Sequence, residues 1–328
     1  MSWRSGLLGL VLGIGGSFLF TYSIAECGVS QRFANVLINV NSSTTSGNKV
    51  AEVGEKPLTA VPQELQGVPW CRQAESKVQD GEYPACLVPP SKEIYRLARP
   101  TLKWYGQEGQ DAAVWPLLEQ VAKGFFIESG ASVGERFSNT LAMEKTGNWT
   151  GLLVEPDPWN HELIAMLHRK AYLFKGCLSG TQNKETLWFR ADRDPIHKNL
   201  GMDGHLVDKI PDNLLKDAAI AVTCLPLKNI LESIGELHVD FWSLDIEGAE
   251  APVLEATDFS AVKMGVVLIE TNKGKQNTER IKNTMLKNGF QIWKVLRFDH
   301  IFVHPGYIRE KGWKIPADDT RLADIMKM

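Results

Sequence analysis

Residues 125–156 limit the fold of this chain more than any other stretch. FFIESGASVGERFSNT at 125–140 begins as an apolar run, reaches an acidic residue and a glycine-spaced turn, and GLLVEP at 151–156 is a second apolar run ending in a carboxylate. Apolar runs bounded by turn residues, with a helix-like segment between them, predict a β-α-β unit of the nucleotide-binding kind. Gly130 and Gly134 are spaced GxxxG, whereas the dinucleotide fingerprint is GxGxxG and carries an acidic residue further on. The unit is therefore expected to take S-adenosylmethionine rather than NAD.

The pattern continues along the chain. Strands are expected at 125–129, 152–155, 172–177, 240–245, 265–270, 291–296 and 300–304, and helices at 111–123, 135–145, 159–169, 226–234, 249–256 and 278–288. Such alternation predicts an α/β, doubly wound, Rossmann-like sheet with helices on both faces. The last two strands are separated only by Arg297-Phe298-Asp299. So short a turn forces them antiparallel, because a parallel crossover needs a dozen or more residues. A seven-stranded, mostly parallel sheet with an antiparallel last strand is the architecture of the class I methyltransferases.

Candidate site residues fall at the carboxyl ends of the expected strands, where open parallel sheets bind ligands. Gly130 and Gly134 would let backbone approach a ligand, the helix start after them would offer N–H groups, and Ser132 adds a hydroxyl. Glu128 and Glu155 end the first two strands of the unit and offer acceptor oxygens suited to an ammonium and to ribose hydroxyls, respectively. A second motif, WSLDIEGAE at 242–250, places Asp245 at a strand end and Glu247 and Glu250 at a helix start. The helix dipole alone favours acids there, by about 0.3–1 kcal/mol, so Glu247 and Glu250 have an ordinary structural explanation. Asp245 does not, because a carboxylate closing a buried strand needs a partner or a ligand. Asp245 and Glu247 are the candidate catalytic residues, with His161 and His205 as distant alternatives. No His/Cys cluster has zinc-ligand spacing, and no metal centre is expected, with a metal through Asp245 and Glu247 as the alternative. Residues 181–218, with Trp188, Arg190, Arg193 and His197, are the candidate acceptor lid, or equally a solvated excursion.

The segments FIESGASVGE, SNTLAMEK, NWTGLLVEPDP, GCLSG, DFWSLDIEGAEAPVLEA and DHIFVHP together resemble the FkbM-type methyltransferase domain over roughly residues 100–306. The similarity is greatest to its secretory-pathway branch, which includes the membrane-anchored Star protein. It implies S-adenosylmethionine as cofactor and O-methylation of sugar-containing or small-molecule hydroxyls. It also implies that Glu128, Gly130 and Gly134 line the methionine end, Glu155 the ribose, and Asp245 with Glu247 the transfer site. Many relatives in the branch carry an acid just before the glycine matching Gly134, where this chain has Val133. That departure motivates an alternative, a catalytically weak protein that escorts secretory cargo from the endoplasmic reticulum to the Golgi.

The remaining sequence sets the context. Leu7–Ala25 is uncharged and mostly apolar, long enough for a membrane anchor and also readable as a signal-peptide core. Residues 1–25 are thus expected to be an anchor or signal, 26–66 a stem, and 67–328 the folded domain, facing the secretory lumen. With 36 Lys and Arg against 39 Asp and Glu, nucleic acid is a poor partner. Five cysteines behind a secretory signal suggest disulfides, first Cys71 with Cys86, then Cys177 with Cys224, leaving Cys27 over. The sequons at Asn41 and Asn148 are candidate N-glycan acceptors.

Overall fold

The computed structural model describes residues 68–71, 82–83, 85–191, 193–194, 199–200, 204–207 and 219–314. The expected anchor Leu7–Ala25, the stem, Cys27, Asn41 and His197 lie outside them. No helix among the described residues is long and apolar enough to cross a membrane.

The chain opens with two short strands, β1 (Glu82–Tyr83) and β2 (Cys86–Val88), and helix α1 (Gln110–Leu118). Then come β3 (Phe125–Ser129), α2 (Leu141–Gly147), β4 (Thr150–Glu155), α3 (Pro158–Leu167) and β5 (Tyr172–Lys175). An inserted β region follows, with β6 (Cys177–Leu178), β7 (Glu185–Arg190), β8 (Arg193–Asp194), β9 (Asn199–Leu200), β10 (His205–Val207) and β11 (Ala219–Leu225). The chain then returns to alternation with α4 (Leu227–Ile234), β12 (His238–Leu244), α5 (Glu250–Ala256), β13 (Lys263–Glu270) and α6 (Lys275–Lys287). It closes with β14 (Gln291–Val295), β15 (Asp299–Val303) and α7 (Pro305–Lys311).

The central sheet runs β14-β15-β13-β12-β3-β4-β5-β2. Its five middle strands are parallel, and β15 is antiparallel to both β13 and β14. The expected seven strands and reversed last strand are present. An eighth, β2, extends the edge antiparallel to β5. It is held there by a bond between Cys71 and Cys86 and by the amides of Cys71 and Leu87, which donate to Leu87 and Pro69 carbonyls.

Successive strand residues point to opposite faces, and both faces are buried. Ile127, Val154, Trp242, Leu244 and Ile269 pack with α4, α5 and α6 through Leu231, Leu254 and Met285. Their neighbours Phe126, Leu153, Phe241 and Leu268 pack on the other side with α1, α2, α3 and α7 through Leu117, Met143, Ile164 and Ile308. Each fully buried side chain of this size contributes about 1.5–3 kcal/mol. This two-sided burial explains why the strands read as continuous apolar runs rather than alternating ones.

Three expectations are corrected. The helix expected at 135–145 begins only at Leu141, because Gly134 and Phe137 adopt positive φ, 78° and 66°, which breaks the helical path. Its start is therefore not next to the glycine turn. Of residues 181–218, expected as a lid or a solvated excursion, the described part includes β7 and β10, which pair antiparallel, and β7 pairs antiparallel with β11 beyond them. Finally, α1 stops at Leu118, short of Lys123.

Candidate active site

The strand order reverses between β3 and β12: from there β4 and β5 lie on one side and β13 on the other. In open α/β sheets the crevice beyond this point is where ligands bind. Ser129 and Leu244 end their strands side by side, and the Asp245 amide donates to the Ser129 carbonyl at 3.2 Å. Gly130 follows with φ 81°, and a Cβ on it would lie 1.8 Å from the Asp245 carbonyl oxygen. Only glycine fits here, so the glycine turn and the end of the DIEG strand are built against each other. The cleft above them encloses about 1140 Å³, open mouth included, and Glu128, Gly130, Ser132, Glu155, Asp245 and Glu247 all line it.

Gly134 does not line it. A Cβ there would meet Ile164 Cγ1 at 2.9 Å and Leu167 Cδ1 at 3.1 Å, so this glycine admits helix α3 rather than a ligand.

On the β3/β4 side the acids are well supplied with donors. Glu155 accepts from the amides of Ser132 (2.6 Å) and Asp157 (2.9 Å) and from Asn160 Nδ2 (3.3 Å). Burial pushes its carboxyl up to about 8, against these donors, which favour the anion. Glu128 accepts from the Asn139 amide (2.6 Å) and from the hydroxyls of Ser138 (2.8 Å) and Thr140 (2.7 Å). Buried Arg169 stands 3.9 Å away, bonds Glu144 at 2.8 Å and donates to the Gly134 carbonyl. Burial raises the Glu128 carboxyl, and Arg169 opposes this. Both Glu128 oxygens are thus spent on holding the loop 138–140, a function that the strand-end pattern did not disclose.

The β12/β13 side is different. Carboxylate oxygens of Asp245, Glu247 and Glu270 all lie within 4.8 Å of one another. Two unit charges at that separation repel by about 3–4 kcal/mol at an effective dielectric near ~20. The neutralising group is Lys273, whose Nζ lies 2.5 Å from Glu247 and 3.4 Å from Glu270. Partial burial alone would lower its ammonium, but the bond to Glu247 and the nearby acids hold it above its usual range. Asp245 Oδ1 is buried without a hydrogen-bond partner, whereas Glu270 Oε2 has only the Lys273 ammonium near it. Burial, followed by the charges of Glu270 and Glu247, pushes the Asp245 carboxyl well up. Glu250, by contrast, caps its turn, accepting from the amides of Ile246 and Gly248, both at 3.0 Å. Glu270 ends an expected strand but attracted no attention in the sequence. The signal was available, since it is another acid closing an apolar run beside Asp245.

The inserted β region forms a wall of the cleft. Phe189 (4 % exposed), His205 and Leu206 line it, with Cys177 and Leu178 at the base. Cys177 and Cys224 are bonded where β6 runs beside β11. Of the expected lid residues, Trp188 and Arg190 do not line the cleft, because alternation on β7 turns Phe189 to it instead. His161 does not line it either. Its Nε2 lies 2.6 Å from the Glu155 carbonyl, and burial lowers the ring to about 4, so it is neutral and structural.

The donor set fits S-adenosylmethionine. Asn139 and Asn160 line the cleft, and each leaves its buried side-chain oxygen without a partner. Buried acceptors of this kind call for donors, and the hydroxyls and amino groups of that cofactor are donors.

The methyltransferase FkbM domain matches residues 128–292, just over half of the chain. Among solved structures, the FkbM methyltransferase from Methylobacillus flagellatus KT is similar at 15 % identity and TM-score 0.36, with 57 % of this chain and 45 % of that one covered. The present chain thus spans less than half of that protein's length. The precorrin-6y C5,15-methyltransferase from Geobacter metallireducens GS-15 is similar at 12 % identity and TM-score 0.32, covering 63 % and 93 %. A methyltransferase from Pyrococcus furiosus is similar at 15 % identity and TM-score 0.32, covering 59 % and 82 %. No curated protein matches the chain in sequence. With the DIEG strand end and the glycine turn inside the matched span, the chain belongs to the FkbM methyltransferase family, whose cofactor is S-adenosylmethionine.

Proposed function

We propose that this chain is an S-adenosylmethionine-dependent O-methyltransferase that acts in the secretory-pathway lumen on a hydroxyl of a sugar-containing or small-molecule acceptor. One observation carries the reading: a donor-rich half of the cleft and an acid-rich half meet where Gly130 packs on Asp245. When bound, the cofactor supplies an electrophilic methyl group, which leaves the protein to align an oxygen and exclude water. Gly130 and Ser132 shape the turn against the cofactor, Glu155 offers acceptor oxygens to its ribose, and Glu128 fixes the loop that carries Asn139. Asp245 takes the acceptor's proton. Glu247, held by Lys273, shapes the acceptor end beside it, and Phe189 and Leu206 keep water out. Lumen residence follows from the apolar Leu7–Ala25 stretch and from paired cysteines, with Asn148, exposed at the end of α2, as a candidate glycan acceptor.

Titration calorimetry of the purified chain with S-adenosylhomocysteine tests the reading. Binding in the micromolar range is expected, and none at millimolar ligand would sink it. Such a failure would favour the escort reading, for which Val133 is the motive.

A further inference from the structure

The proposed function uses Asp245 and leaves Glu270, the acid beside it, without a role. Asp245 directly follows β12 and Glu270 ends the adjacent parallel β13, the two strands being paired up to Leu244 and Ile269. A carboxyl oxygen of each lies within 4.8 Å of the other. Asp245 Oδ1 is buried without a hydrogen-bond partner, Glu270 Oε2 has only the Lys273 ammonium at 3.4 Å, and Glu270 as a residue is only 8 % exposed. Carboxylates are acceptors only, so two of them facing each other cannot satisfy one another unless one is protonated. A single proton between them gives the pair the donor it lacks.

We propose that Asp245 and Glu270 work as one proton-holding pair at the acceptor end of the cleft, with Glu270 as a positioning residue that acts through Asp245. Asp245 lines the cleft and Glu270 does not, so an acceptor meets the pair through Asp245 alone. The pair enters with one proton and one negative charge. The acceptor's O–H bond breaks with its electrons left on oxygen, its proton moves to Asp245 as the proton that Asp245 held passes to the Glu270 carboxylate, and the pair becomes neutral. The second proton returns to water after product leaves.

The surrounding charges set this state. Glu247, from the turn after β12, and Glu250, on α5, both raise Asp245 and Glu270, whereas Lys273, from the loop before α6, favours the Glu270 anion. Lys273 also ties Glu247 to Glu270, so one ammonium serves two carboxylates. The remaining one, Asp245, is left without a cation of its own and is the one that must share a proton. Two carboxylates that share a site are known to separate their titrations in this way, and the proton belongs to the pair.

The inference depends on the methyltransferase reading only for its purpose, and its test needs neither cofactor nor acceptor. A failure here is therefore distinguishable from a failure of S-adenosylhomocysteine to bind. The full chain is labelled with carboxyl-13C aspartate, and the Asp245 resonance, assigned by its loss in Asp245→Asn, is followed through a pH titration. In the wild type its midpoint is expected at least about 2 pH units above that of an ordinary aspartate. Glu270→Gln, which offers an amide donor in place of an acid, should bring it down by more than about 1 unit, and Lys273→Met should raise it further. A merely structural Glu270 would leave the midpoint in place. An ordinary Asp245 titration in the wild type, or one that Glu270→Gln leaves unmoved, overturns the proposal. Should Glu270→Gln fail to fold, Lys273→Met decides: an upward shift supports the pair, and an unchanged midpoint refutes it.

Discussion

Four adjacent strands, β4, β3, β12 and β13, each bring an acid to the cleft end of the sheet, and the two halves treat them in opposite ways. Glu155 and Glu128 accept three hydrogen bonds each from nearby amides, hydroxyls and an asparagine. Asp245 and Glu270 crowd each other, Asp245 with one oxygen left bare and Glu270 with only the Lys273 ammonium beside it. An acid at a strand end is thus not one kind of site residue. Where donors surround it, its oxygens are used to fix a loop or to meet a ligand; where they are missing, its proton becomes the useful property.

Breaking the donor-rich half should cost the most. Arg169→Met leaves Glu128 and Glu144 buried without their cation, and about 3–5 kcal/mol of stability should be lost in chemical denaturation. If the loss is under about 1 kcal/mol, the loop 138–140 does not depend on this network. The seam between the halves comes next. Gly130→Ala forces a Cβ toward the Asp245 carbonyl at a positive φ, and about 2–4 kcal/mol should go, together with S-adenosylhomocysteine binding. On the crowded side the sign should reverse: Asp245→Asn removes a like charge and is expected to leave stability unchanged or raise it by up to about 1 kcal/mol. A clear destabilisation would show that Asp245 has a structural partner after all.

The subtlest effect is a slope. Burial raises Glu155 from 4.5 to about 8, so between those values the folded chain binds a proton that the unfolded chain has lost. Stability contributed by this group therefore falls as pH rises through that window. Thermal unfolding of Glu155→Gln should show a flatter profile there than the wild type, and parallel profiles would mean that the three donors keep Glu155 ionised throughout.

Much of this was legible beforehand, for physical reasons that differ by region. Apolar runs buried on both faces, such as FFIE and DFWSL, announce parallel strands, and a three-residue turn fixes the reversed edge. Asp245 was readable because an acid that closes a buried strand needs a reason. The donor network around Glu128 was not, since it depends on Arg169, more than forty positions away in the chain, and on Ser138 and Thr140 in a stretch that reads as helical. Gly134 was misread because its spacing fits a ligand turn, while its neighbours in space, Ile164 and Leu167, are decided by how α3 packs. The inserted β region was missed as sheet because β7 alternates and β10 is only three residues long, and β11, although an apolar run, pairs with β7 rather than with the central sheet.

The bond between Cys177 and Cys224 closes a covalent ring around this inserted region, its two ends 47 positions apart in the chain. A protease that cut the backbone once inside that ring would not release anything. The two pieces would stay joined through sulfur, with Cys177 still beside the cleft and β11 still leading into α4. A nicked chain would thus run as one species on a non-reducing gel and as two after reduction.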